Sequence, residues 1–195
     1  LDENYKIEIV NSTDKEKREK YVKHLYKKLQ REGQLERDVD RLVRNDRIAW
    51  GASMIACKDA DAMVTGNIRH YTASIEKLKK VVDPRPGEEI FGMTMINSKG
   101  KTILVADTNV QDFPSSQRLV NVSKSCVRVA RLFGFDPKVA FLSHSTFGKP
   151  VSKNTKHVRD AIELLKKENV DFDFDGEMQP DVALNPIYQD VYPFS

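Results

Sequence analysis

The chain has 195 residues, 39% of them hydrophobic, enough for one well-buried domain or a domain with an appended helical segment. Its 32 Lys and Arg against 29 Asp and Glu leave a formal charge of +3, and these charges alternate in sign along helical stretches, which argues against a nucleic-acid-binding surface. No apolar run approaches the roughly 18 residues needed to cross a bilayer and no signal-peptide pattern opens the chain, so a soluble, cytoplasmic protein without membrane partners is expected. Cys57 and Cys126 stand alone without metal-ligand spacing, each in an apolar helical pattern, and read as small core residues in a reducing compartment. The chain opens at Leu1 without a methionine and closes on Tyr192-Pro-Phe-Ser195, whose turn chemistry suggests a continuation, so an excised piece of a longer protein is expected.

In chain order, Thr13-Asp-Lys-Glu16 has capping-box spacing and precedes Tyr21, Val22, Leu25, Tyr26 and Leu29, an amphipathic helix that stops near Gly33. Leu35, Val39, Leu42 and Val43 repeat the period, and after Asn45-Asp46 a third helix carries Ala49, Ala52, Ser53 and Ala56 on a small-residue face. At Asp61 the pattern switches to a short buried strand, Ala62 to Val64, then the loop Thr65-Gly-Asn-Ile-Arg-His70 and a helix with Ile75, Leu78 and Val82 inward. Asp83-Pro-Arg-Pro-Gly87 is a surface turn. Strands Phe91 to Ile96 and Thr102 to Ala106 follow, joined by Asn97-Ser-Lys-Gly100 as an antiparallel hairpin. Pro114-Ser115 opens a long helix with Leu119, Val122, Cys126, Val129, Ala130 and Phe133 as apolar positions and Gly134 as its stop. The strand Val139 to Leu142, a hydroxyl-rich loop, a helix from about Asn154 to Lys167 with Val158, Ala161, Ile162 and Leu165 on one face, and a strand at Phe172 to Gly176 complete the chain. The expected fold is α/β with a mixed, mostly parallel sheet. A boundary near Asp59 separates a helical segment (1–58) from a central subdomain (59–195).

Ligands of open α/β sheets collect where loops leave the carboxyl ends of strands. Four segments qualify: Thr65 to His70, Asp107 to Asn109, Ser143 to Lys149, and Asp175 to Asp181. In the third, Ser143, Ser145 and Thr146 supply hydroxyls, Gly148 permits close backbone approach, and Lys149 and Lys153 add positive charge ahead of a helix, which together read as a phosphate seat. The alternative is that Ser145 and Thr146 merely cap the following helix. Arg69 and His70 suit an anion contact or a solvated loop. His144 lacks a nearby acid to orient it, which favours a structural histidine over an acid or base. Asp175, Glu177 and Asp181 match no calcium-loop spacing, so turn caps are favoured over a metal site. There is no dinucleotide fingerprint, Walker loop, H-E-x-x-H or nucleophile elbow.

Four segments together, Asp59-Ala-Asp-Ala-Met-Val-Thr-Gly66, Ala106-Asp-Thr-Asn-Val110, Phe135-Asp-Pro-Lys-Val-Ala-Phe-Leu-Ser-His-Ser-Thr-Phe-Gly148 and Asp175-Gly-Glu-Met-Gln179, resemble the phosphate acetyl/butyryltransferase family. Within it, Asp107-Thr-Asn109, Ser145-Thr-Phe-Gly148 and Asp175 through Leu184-Asn-Pro186 are most similar to the phosphotransacetylase-like carboxyl-terminal domains of bacterial NADP-dependent malic enzymes. The resemblance implies a three-layer α/β/α fold similar to isocitrate dehydrogenase, two subdomains with a coenzyme A cleft between them, and a homodimer formed through the central subdomain. It implies coenzyme A or phosphate contacts at Thr65, Gly66, Arg69, Ser143, Ser145, Thr146 and Gly148, with no metal on this chain. NADP and a divalent metal are implied only for a malate-oxidising domain of the parent protein. The transferases are implied to orient the coenzyme A thiolate against acetyl phosphate without a covalent acyl-enzyme. Their thiol-directed arginine and aspartate lie carboxyl-terminal to the position of Ser195, and they generally carry smaller residues where this chain has Arg69 and His70. The expected role is therefore an acetyl-CoA-binding regulatory and dimerisation module, with active acyl transfer as the alternative.

Overall fold

The computed structural model describes residues 7–107, 110, 113–150 and 155–195. They fall into two compact units, Leu1–Asp83 and Pro84–Ser195. The division lies in the Pro-rich turn that follows Val82, and the composition change at Asp59 lies inside the first unit.

The first unit is helical: α1 (Lys15–Leu29), α2 (Glu36–Asn45), α3 (Arg47–Ala56) and α4 (Tyr71–Val81). The cap of α1 is Asp14, one residue beyond the expected Thr13, and its carboxylate accepts from the Lys17 amide at 3.1 Å. A single 3₁₀ turn carries the chain to Gly33, whose φ of +81° supplies the left-handed stop. Tyr21, Leu25 and Leu29 of α1, Val39 and Val43 of α2, and the small face of α3 form the core. Small residues at Ala49, Ala52 and Ser53 let α3 pack closely, and the Tyr21 and Trp50 rings meet edge to face with centroids 5.0 Å apart. Burial, and then the hydrogen bond that its hydroxyl donates to Asp59, push the Tyr21 phenol well above its ordinary range. Leu35, expected inward, sits just before α2 and is exposed.

The expected strand at Ala62 to Val64 is a correction. These residues are not in a strand, and the Val64 side chain is fully exposed. Three extended residues between Asp61 and Gly66 gain nothing from a strand geometry when no partner strand lies among the described residues of their unit, since a lone strand leaves its amides and carbonyls to water.

The second unit contains β1 (Met93–Ser98), β2 (Lys101–Ala106), α5 (Ser116–Leu132), β3 (Val139–Leu142), α6 (Lys156–Glu168), β4 (Phe174–Met178) and the short α7 (Pro180–Leu184). Among the described residues the strands form two pairs in place of the expected single, mostly parallel sheet: β1 with β2 antiparallel, and β3 with β4 parallel. The hairpin registers Met93 opposite Ala106 and Ser98 opposite Lys101, with Gly100 at φ +75° in its turn. Between β3 and β4, α6 makes the crossover, and Val158, Ala161, Ile162 and Leu165 pack with Phe141 and Val120 as the second core. On α5, Val122 and Ala130 are buried as expected, and Val120, Ser123 and Val127 are buried beside them, while Phe133, expected inward, and Leu132 are exposed at its end. Both cysteines are free and partly buried; Cys126 Sγ lies 3.5 Å from Met93 Sδ. No helix is long and apolar enough to cross a membrane among the described residues.

Candidate functional site

Parallel pairing of β3 and β4 places the segments after both strands at one end. Ser143 donates its amide to Met178 O at 2.9 Å, the Gln179 amide donates to Thr146 Oγ1 at 3.2 Å, and Gln179 Nε2 donates to His144 O at 2.7 Å. The Ser143–Lys149 loop and the Asp175–Asp181 segment therefore meet, as the strand order requires. An open groove of about 450 Å³ lined by Lys124, Val127, Arg128, Arg131, Val170 and Phe172 lies toward the amino end of β4, away from this loop. Its cations are already paired, Lys124 with Glu168, Arg128 with Glu88 and Arg131 with Asp171.

The residue that organises the loop is Glu177. Its side chain is buried, and Oε1 accepts from Ser145 Oγ at 2.8 Å, the Gly148 amide at 3.1 Å and Arg159 Nη1 at 2.8 Å. Arg159 Nη1 also reaches Thr155 Oγ1 at 2.8 Å. Burial pushes the Glu177 carboxyl upward, but hydrogen bonds from Ser145, Thr155 and Arg159 outweigh it and hold the group below its ordinary value. The Phe147 amide donates to Glu177 O at 2.7 Å, and Thr146 and Lys149 exchange backbone bonds at 2.9 and 3.0 Å. Ser145 is fully buried, so its hydroxyl faces the protein interior. It caps no helix either, because α6 begins at Lys156 and is preceded by Thr155. Ser143 remains partly exposed with its Oγ 3.3 Å from Ser145 Oγ, and His144 is exposed. Phe147, at φ +48°, stacks its ring 5.1 Å from Tyr192 and 4.9 Å from Phe194, which ties the end of the chain to the loop.

Thr65, Gly66 and Arg69 belong to the first unit. Gly66 takes φ +117° with open space at its Cα, so the loop turns there on backbone freedom. Arg69, 42% exposed, donates to Asp46 Oδ2 at 2.6 Å, and Lys77 donates to the same oxygen. The other oxygen, Oδ1, caps α3 by accepting the Ile48 and Ala49 amides at 2.9 and 3.1 Å. Burial pushes the Asp46 carboxyl up, but Lys77, Arg69 and the two amides hold it at about 2 against an ordinary 3.8. A carboxyl lowered by folding contributes stability in full above its unfolded value and loses it as pH falls through its folded one. The first unit should therefore lose about 2 kcal/mol between pH 4 and 2, followed by fluorescence of Trp50, and Asp46→Asn should lack that loss.

Asp107 is not free for a ligand: its carboxylate takes Arg118 Nε at 3.2 Å, and Arg118 also binds Glu89 and the Ile90 carbonyl. Thr108, Asn109 and Lys153 lie outside the described residues. Asp175 accepts its neighbour Gly176's amide, and Asp181 sits in the first turn of α7; among the described residues no three His, Cys, Asp or Glu side chains converge as a metal site would require. Glu177 and Arg159, the polar centre of the loop, were not singled out by the sequence as partners. The only signal was a carboxylate just past the expected strand, which the structure places inside β4, and an arginine in the first turn of the crossover helix.

Comparison with solved structures defines the class first. The fold matches a EutD phosphotransacetylase of Staphylococcus aureus at TM-score 0.76 and 25% identity, covering 96% of this chain and 58% of that one. A phosphotransacetylase of Streptococcus pyogenes matches at TM-score 0.74 and 26% identity, over 88% of this chain and 53% of the other. The Phosphate acetyl/butaryl transferase family matches residues 1–195, and the chain belongs to that family. It is 43% identical to an NADP-dependent malic enzyme of Rhizobium meliloti over 96% of this chain and 25% of the relative. A probable NADP-dependent malic enzyme of Rickettsia prowazekii is 35% identical, and a phosphate acetyltransferase of Nitratidesulfovibrio vulgaris 26% identical over 92% of this chain. The chain spans about a quarter of the length of these relatives.

Proposed function

We propose that this chain is the phosphotransacetylase-like part of an NADP-dependent malic enzyme and serves it as an acetyl-CoA-responsive regulatory module. The family match over residues 1–195, joined to higher identity with malic enzymes than with a phosphate acetyltransferase, carries the reading. In this reading NADP, the divalent metal and malate oxidation belong to another domain, and acetyl-CoA or CoA is the ligand here. A regulatory site needs only to bind differently in two states, whereas acyl transfer needs the thiol and the acyl phosphate held in attack geometry.

Arg69 is the anion contact of the first unit. Asp46 holds its guanidinium from the buried side while the rest is exposed, an arrangement that suits a phosphate of coenzyme A. Thr65 and Gly66 shape that loop, and in the second unit Ser143, with the loop through Ser145, Thr146 and Gly148, is the proposed anion contact. The isocitrate dehydrogenase-like three-layer arrangement is part of the same proposal. So is a homodimer through the central subdomain, supported by the β1–β2 hairpin, whose Met95 and Ile96 are exposed. A cytoplasmic location is part of the same proposal.

The test sets binding against turnover. Acetyl-CoA should bind this chain saturably, and Arg69→Ala should weaken it about tenfold, the loss of a charged hydrogen bond of roughly 1.5 kcal/mol. Acetyl phosphate and CoA together should give no acetyl-CoA. Measurable turnover would favour the second reading, a working phosphate acyltransferase, for which the hydroxyl-rich loop is the supporting observation.

A further inference from the structure

Two of the donors expected to receive an external anion in the Ser143–Gly148 loop, the Ser145 hydroxyl and the Gly148 amide, are already occupied from within, together with Arg159, which the sequence did not single out. A hydroxyl (Ser145 Oγ), a backbone amide (Gly148) and a guanidinium (Arg159) converge on Glu177 Oε1 at 2.8, 3.1 and 2.8 Å. These are the groups with which proteins bind phosphate and carboxylate oxygens. The fit is lopsided: the Glu177 side chain is buried and, among the described residues, Oε2 has no hydrogen-bond partner. Oε1 takes these three donors and Thr155 adds to the hold on the carboxylate, while Oε2 has no partner among the described residues, whereas a tetrahedral phosphate would distribute such donors over separate oxygens. Arg159 is 37% exposed and Ser143 Oγ stands 3.3 Å from Ser145 Oγ, so the seat borders the surface.

We propose that Glu177 is an internal occupant of a latent anion seat, and that a phosphate or carboxylate group of a ligand enters the loop by replacing its carboxylate. The inference deepens the acyl-CoA reading and rests on it for the identity of the natural ligand. Two anions cannot share one hydroxyl, one amide and one guanidinium, so occupation is exclusive. The apparent affinity for the external anion is then reduced by the fraction of time the seat is vacated. Ligand entry is also coupled to β4, which carries Glu177, and through β4 to the packing of Phe141.

The experiment titrates inorganic phosphate into the chain at constant ionic strength, following the Gly148 amide by NMR, for wild type and Glu177→Gln. The substitution keeps the side chain's size and an acceptor for Ser145 but removes the competing charge. It should raise phosphate affinity at least tenfold. A role as a staple alone makes the opposite expectation, affinity unchanged or weaker, and that result in a folded variant overturns the proposal. Glu177→Asp, shorter and still charged, should fall between the two. If neither variant folds, wild type decides: the Gly148 amide signal must move with phosphate and not with chloride, and no movement overturns the proposal.

Parallel titrations with acetyl phosphate and CoA separate the two claims. Tight phosphate binding by Glu177→Gln with no CoA response in either protein keeps the seat and removes the acyl-CoA reading. CoA binding by wild type with no phosphate gain in the variant does the reverse.

Discussion

Gly176→Ala should destabilise the second unit by about 3 kcal/mol, from backbone strain of roughly 1–3 kcal/mol and overpacking of similar size. Gly176 sits in β4 at φ +140°, a region L side chains rarely adopt, and opposite Phe141 of β3. A Cβ there would lie 2.6 Å from Phe141 O and 2.9 Å from Phe141 Cβ. Neither contact can be relieved by a flexible side chain, because the nearest atom is strand backbone. The strand pair must therefore open where it supports the loop, and Glu177, the next residue, must shift with it. Hydrogen exchange of α6 amides should show the loss, with exchange about a hundredfold faster if it proceeds through global opening of the unit. Unchanged α6 protection would mean that β4 tolerates a side chain at this point.

Asp46→Ala should cost the first unit about 2–3 kcal/mol, adding loss of an N-cap at roughly 1 kcal/mol to loss of a buried ion pair. Its two oxygens divide the work: Oδ1 caps α3 through the Ile48 and Ala49 amides, and Oδ2 receives Lys77 and Arg69. Asp46→Asn should retain the caps, lose the ion pairs and cost about half as much. The only tryptophan, Trp50, lies in α3 against Tyr21, so its fluorescence reports this unit directly in a urea titration. An Asp46→Ala transition coincident with wild type would show that the helices hold together without this carboxylate. The same substitution should also loosen Arg69, linking stability of the first unit to its proposed anion contact.

Local periodicity made most elements legible. The α1 stripe from Tyr21 to Leu29, the small face of α3, the hairpin around Gly100 and the α6 face from Val158 to Leu165 all form as their spacing requires. Periodicity failed where pairing decides. Ala62 to Val64 is apolar and short, but a strand needs a partner, and none is present among the described residues of its unit. Likewise the sheet could not be read from the chain, because how many strands join is a long-range matter that no local pattern encodes.

The hydroxyl-rich loop was found as a loop, and its placement at the carboxyl ends of a parallel pair followed from strand order. Its internal chemistry was hidden, since Ser145 and Glu177 lie 32 residues apart and meet only through the register of β3 on β4. Asp46 was read as a helix boundary, and its bonds to Arg69 and Lys77 depend on how α3 and α4 pack. In both places a polar group that looks local in sequence is satisfied from a distant element, as burial of a charge demands.

The most direct test of acetyl-CoA recognition is amide hydrogen exchange of this chain with and without acetyl-CoA, with Arg69→Ala as the control. Protection at Thr65 to His70 that disappears in Arg69→Ala is the expected result. Saturating acetyl-CoA that leaves this loop unprotected, or protects it equally in Arg69→Ala, would contradict it.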